Sequence, residues 1–159
     1  MKLESEAELV QNPALCALII CTFVAEFFSQ SKKLKGPTIP LVLPVLPMVI
    51  HRETVETLAR RHYIDGLQLA LAENKTLTLD LQERMEAATE LTLSALNIAF
   101  ASGLLGYDQE RGQLIPKKGM GVKSASKEIR EMINTSNRLG YWFSSINADQ
   151  LCSLLRIHF

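Results

Sequence analysis

Aromatic residues, histidine and cysteine are all scarce in this chain, and net charge is absent. Only 6% of the 159 residues are Phe, Trp or Tyr, and there is one Trp. A core large enough for one domain must therefore be built mostly from Leu, Ile, Val and Ala. His51, His62 and His158 do not pair at ligand spacing. Cys16, Cys21 and Cys152 make an odd count with no metal spacing, and the first two are five apart in a helical pattern, so they point in different directions. They read as buried, reduced thiols of a cytoplasmic protein. Seventeen Lys and Arg balance seventeen Asp and Glu. That balance excludes a disordered chain or one dominated by nucleic-acid affinity.

Clean apolar runs of membrane length are missing too. Residues 14–28 carry Thr22 and Glu26, and residues 39–50 hold Pro40, Pro44 and Pro47. Neither supplies the ~20 apolar residues of a spanning helix. Glu4, Glu6 and Glu8 stand where a signal peptide has its basic region. A cytoplasmic chain with no membrane contact is expected.

Catalytic arrangements are equally thin. Residues 119–124 read Gly-Met-Gly-Val-Lys-Ser. A phosphate-binding loop needs Gly directly before the Lys, and Val122 occupies that place. Asp80 and Glu83 have the spacing of a capping box, and residues 83–90 read as a solvated acidic face. No catalytic, metal or cofactor-binding residue is assigned, and no enzyme is expected.

What the chain does have is helical pattern, proline and one small hairpin. The fold class expected is mainly α with a small β-hairpin, in a single domain over residues 1–159. Three parts follow one another. Residues 12–50 hold an apolar helix, opened by Asn12 as N-cap and Pro13 at the first position, and then a proline-rich segment. The prolines of that segment push their neighbours toward extended backbone, so residues 37–50 are expected to be extended and irregular. They either cross the core as a buried loop or offer a groove to a partner. In the second case Leu41, Leu43, Val45 and Leu46 are the contact residues.

Residues 51–116 hold two short helices, a long helix running from Asp80 to about Ser102, and a hairpin turning at residues 108–112. The second half of the long helix is almost wholly apolar and is expected to enter the core. Gly103 reads as its αL cap, and Gly112 falls where the turn needs positive φ. Short helices, a longer helix and a hairpin follow the order of a winged-helix unit. Residues 117–159 hold two further helices, the last opened by Asn147 and Gln150.

Charge is uneven in the last part. Lys117, Lys118, Lys123, Lys127, Arg130 and Arg138 face only Glu128 and Glu131 within residues 117–138. Beside a wing this face suits phosphates, an acidic protein partner, or plain solvation. Tyr141 and Trp142 suit either an interface anchor or the core.

Several pieces, in order, carry a family resemblance. They are Asn12-Pro13-Ala14, then Pro40-Leu41-Val42-Leu43-Pro44-Val45-Leu46-Pro47 leading to Ile50-His51. Next comes Thr92-Leu93-Ser94-Ala95-Leu96 running into Ala101-Ser102-Gly103-Leu104-Leu105, then the turn from Asp108 to Gly112. Last is Arg138-Leu139-Gly140-Tyr141-Trp142-Phe143. Together they span about residues 12–145 and resemble the small middle component of three-component ABC-ATPase (ABC-3C) systems, a group that includes Lamassu anti-phage defence. The resemblance implies a non-catalytic assembly and regulatory subunit. Its implied partners are an SMC-like ATPase and an effector, often a nuclease, with double-stranded DNA met through the complex. The competing expectation is a free-standing winged-helix DNA binder or transcription regulator.

Overall fold

A computed structural model describes residues 12–32, 34–119 and 126–159. Its elements run α1 (Pro13–Gln30), α2 (Ile39–Val42), α3 (Val45–Ile50), α4 (Arg52–Leu58), α5 (Gly66–Glu73), α6 (Leu81–Ala87), α7 (Thr89–Ala101), β1 (Leu105–Asp108), β2 (Gln113–Pro116), α8 (Lys127–Phe143) and α9 (Ala148–Leu155). The protein is mainly helical, with one two-stranded antiparallel hairpin among the described residues.

The first helix is the axis of the core. Asn12 Oδ1 accepts the Leu15 amide at 3.1 Å, and Pro13 occupies the first turn, where its missing N–H has no partner to lose. α1 packs between α7 and α8. Ile19, Ile20, Phe23 and Val24 have no exposed surface, and the Phe23 ring meets Phe143 of α8 edge-on at 5.5 Å. Ser136 of α8 donates its hydroxyl to Ile19 O at 2.7 Å, which satisfies a polar group sealed between the helices. By length and composition alone α1 qualifies as a membrane span. Its burial between two helices of the same chain accounts for that composition.

Residues 37–50 correct the expectation of extended backbone, because they form α2 and α3. Proline is tolerated in a first turn, and each of these prolines lies within or just before the first turn of a helix. Pro40 lies in the opening turn of α2, Pro44 caps α3, and Pro47 is the third residue of α3. The first regular bond of α3 comes one residue later, from the Met48 amide to Pro44 O at 3.1 Å. Two short helices in place of a strand let Val42, Val45, Leu46, Met48 and Val49 all reach 0% exposure.

The long helix expected from Asp80 is also corrected. Asp80 is left-handed at φ +53° and makes no side-chain cap bond, so the capping box does not form. The helix breaks at Ala88 (φ −91°, ψ 1°) into α6 and α7. Only one face of α7 is buried, through Thr92, Ala95, Leu96 and Ala99, whereas Leu93 and Ile98 are exposed.

Arg84 of α6 ties this region together. Its guanidinium donates to Pro47 O (2.9 Å), Leu79 O (3.1 Å) and Leu77 O (3.4 Å). These carbonyls, at the end of α3 and in the 3₁₀ turn Lys75–Thr78 and its cap, are ones a short helix leaves unpaired. Arg84→Met keeps most of the side chain's volume and removes these bonds to a charged donor. It is expected to cost about 2–3 kcal/mol, read as a lowered urea midpoint with an unchanged slope.

The hairpin matches expectation closely. Leu105 faces Pro116 and Asp108 faces Gln113. Gly112 (φ +65°) closes the turn and Gly103 (φ +71°) ends α7. The preceding loop docks on β2. The Leu114 amide donates to Pro37 O at 2.8 Å, and the Gly36 amide donates to Gln113 Oε1 at 3.1 Å. A Cβ on Gly36 would lie 1.8 Å from Leu114 O, so only glycine allows this approach. In the last part, Ser126 Oγ caps α8 and Asn147 Oδ1 accepts the Gln150 amide at 2.9 Å.

Candidate functional site

The C-terminal half of α8 grips the turn that joins α4 to α5. Trp142 is only 2% exposed, and its indole N–H donates to Tyr63 O at 3.0 Å. Arg138 Nε donates to Arg61 O at 2.6 Å and Nη1 to Asn134 O at 3.0 Å. The same guanidinium lies 5.0 Å from the centre of the Tyr63 ring, a cation–π contact. Tyr141 meets that ring edge-on at 4.9 Å. Arg61 also pairs with Glu73 of α5, and Arg60 with Glu131 of α8. Burial pushes the Tyr63 phenol up, the Arg138 charge pulls it back, and Glu26 adds to the rise.

So many fixed contacts leave the 3₁₀ turn Tyr63–Asp65 little freedom. At its apex Ile64 is 94% exposed. A lone exposed isoleucine is ordinary on a protein surface. One held rigidly costs less side-chain and loop ordering when a partner covers it. Arg138, Tyr141 and Trp142, named from the sequence as contacts or anchors, are brought together here, and what they hold is a segment of their own chain.

The other sequence candidates divide. Lys117, Lys118, Lys127 and Arg130 are exposed, while Lys123 lies outside the described residues. Lys117 lays its alkyl chain over Gly106, where a Cβ would come within 2.4 Å of Cε. Lys118 borders a groove of about 330 Å3 with Thr22, Glu26, Ile133 and Asn137. Val45 and Leu46 are fully buried, and Leu41 and Leu43 are half-buried.

Sequence reasoning missed Ile64, Leu93 and Ile98. An isoleucine directly before the Asp65–Gly66 break was the available signal for the first. For the other two, the uncharged run over residues 91–107 hides which face of α7 is covered.

Among the described residues no group of three His, Cys, Asp or Glu is placed to hold a metal ion. Burial pushes the Cys16 thiol up to about 11 and the Cys21 thiol up to about 12. Cys152, half-buried, is raised by partial burial and then by Asp149. A thiol reagent at pH 8 is expected to label Cys152 alone in the folded chain and all three cysteines once it is unfolded. Both buried thiols favour the folded state fully below pH 9, the unfolded value. That contribution is lost as pH rises through the folded values, because the unfolded chain releases the protons first. Melting temperature should therefore fall between pH 9 and 11, and Cys16→Ala with Cys21→Ala should flatten the fall.

A mainly helical protein with rigidly presented apolar residues and an exposed basic edge has the makings of a contact subunit. The chain matches, over residues 1–159, the family described as MC3: ABC-three component (ABC-3C) system Middle Component 3, and it belongs to that family. It is thus the middle component of a multi-component defence system. No curated protein matches it, and no solved structure does.

Proposed function

We propose that the chain is a non-catalytic assembly and regulatory subunit of a Lamassu-type system in the cytoplasm. It joins an SMC-like ATPase to an effector, a nuclease in the simplest case, and keeps the effector inactive until foreign DNA is sensed. The observation that carries this reading is the family match over residues 1–159. The surfaces suited to the contacts are the Ile64 turn, the Leu93–Ile98 side of α7 and the half-buried ridge at Leu41 and Leu43.

The regulatory part is tested by deleting the gene for this chain from cells that carry the other two components. DNA degradation or growth arrest without infection is expected. Healthy cells with normal effector levels contradict it.

A second reading rests on Lys117, Lys118, Lys127 and Arg130, exposed beside the hairpin. If residues 51–116 act as a winged helix, these side chains would meet duplex phosphates. The isolated chain would then bind duplex DNA with a steep salt dependence, weakened by Glu at all four positions. Under the first reading the isolated chain gives no such binding at low salt.

A further inference from the structure

Lysine is concentrated at one turn of the chain. Residues 32–35 hold Lys32, Lys33 and Lys35, and no Asp or Glu occurs between Glu26 and Glu53. Lys32, Leu34 and Lys35 are exposed, and neither Lys32 nor Lys35 forms an ion pair among the described residues. Lys33 lies outside the described residues.

The turn is held rigidly. Ser31 Oγ donates to Lys35 O at 2.6 Å, and the Leu34 amide donates to Ser31 O at 3.2 Å. Lys32 takes the left-handed backbone, at φ +56°, just past the end of α1. Beyond the turn, Gly36 and Pro37 are buried and bonded to Gln113 and Leu114 of β2. The tip of the hairpin then reaches back. Arg111 Nη1 donates to Leu34 O at 3.3 Å, which brings a third cation, seventy-seven residues along the chain, to the lysine turn. The Arg111 side chain is 65% exposed and has further N–H groups to donate. Two acids come with it, Asp108 and Glu110. Asp108 is committed to the hairpin: Oδ1 accepts the Glu110 and Arg111 amides at 3.0 and 3.2 Å, and Oδ2 lies 3.9 Å from Arg111 Nε.

We infer that the lysine turn and the hairpin tip together bind an acidic segment of a partner subunit, one that carries an apolar side chain among its carboxylates. The inference rests on the subunit reading above. Lys32, Lys35 and Arg111 supply the charge, and an arginine can hold a carboxylate through two N–H groups. Leu34, 66% exposed between the two lysines, supplies the apolar contact. A turn already fixed by its own bonds needs little further ordering when the partner arrives. A phosphate backbone suits this surface less well. It offers nothing to Leu34, and its unbroken row of negative charge would meet Asp108 and Glu110.

Carbodiimide cross-linking, which joins a lysine amine to a carboxylate in direct contact with it, tests the inference. It is applied to the full chain co-expressed with the two other components of its system. Cross-links from Lys32 or Lys35 to an Asp or Glu of another component are the expected result. If the complex forms and neither lysine joins another component, the docking site is wrong while the subunit reading stands. If no complex forms, the subunit reading itself fails and the inference with it. Acetylation of the same two lysines is read alongside. Shielding that appears only when duplex DNA is added marks a phosphate site, which also overturns the inference.

Lys32→Glu combined with Lys35→Glu is the matched variant. It should lower the partner retained on the captured chain more than about tenfold at an unchanged melting temperature. Lys32→Arg combined with Lys35→Arg keeps the charge and should keep the partner. Equal retention by both variants overturns the inference. Should the Glu variant fail to fold, cross-linking of the unmodified chain still decides.

Discussion

Gly140→Ala, a change that would normally strengthen a helix, is expected to destabilise this protein by about 2–3 kcal/mol. Gly140 sits where α8 crosses α1. A Cβ there would lie 2.6 Å from Phe23 O, 3.0 Å from Glu26 Cβ and 3.1 Å from Phe27 N. Two of those three atoms are backbone of the central helix and cannot rotate away. Relief requires α8 to back off from α1, which would loosen the Phe23–Phe143 contact and the Ser136–Ile19 bond. For a chain of this length the loss corresponds to a melting temperature lower by roughly 5–10 °C. An Ala variant as stable as the original would show that the helices do not approach this closely.

Ile64→Asp is expected to do the reverse, leaving the fold intact and removing the partner. The side chain is 94% exposed, so stability should change by no more than about 0.5 kcal/mol. Co-purification with the other components should fall more than about tenfold, as it does when an anchor at the centre of an interface is given a charge. Trp142→Phe supplies the comparison. It keeps an aromatic ring in the core but loses the donor to Tyr63 O, so Ile64 remains present on a looser turn. A smaller loss of partner is expected, because pre-organisation is removed and the contact is kept. Full retention of partners by Ile64→Asp would move the interface off this turn.

Much of the fold was legible where a single residue type has one physical use. Asn12 followed by Pro13 could only open a helix, Gly103 and Gly112 marked positive φ, and Asn147 capped α9. Proline was the residue misread. Its ban from helix interiors was applied to residues 37–50, although each of Pro40, Pro44 and Pro47 falls within or just before a first turn, where that ban does not hold. Asp80 misled in the opposite way. Capping-box spacing was present, but the left-handed backbone at φ +53° turned the side chain away from the amides it would have capped.

The candidate site was legible only in part, because contacts between distant segments decide it. Arg138, Tyr141 and Trp142 stood out as a basic and aromatic group. Nothing in their own neighbourhood shows that they close over Tyr63, some seventy-nine residues away for the Trp142 bond. Ile64 acquires its interest only from that closure.

This chain is expected to work as one part of a larger assembly. Its three components should be expressed together, captured through this chain, and separated by size. The result expected is one complex that retains both other components through gel filtration at physiological salt. A chain that elutes alone as a stable monomer, with both other components well expressed in the same cells, would contradict it.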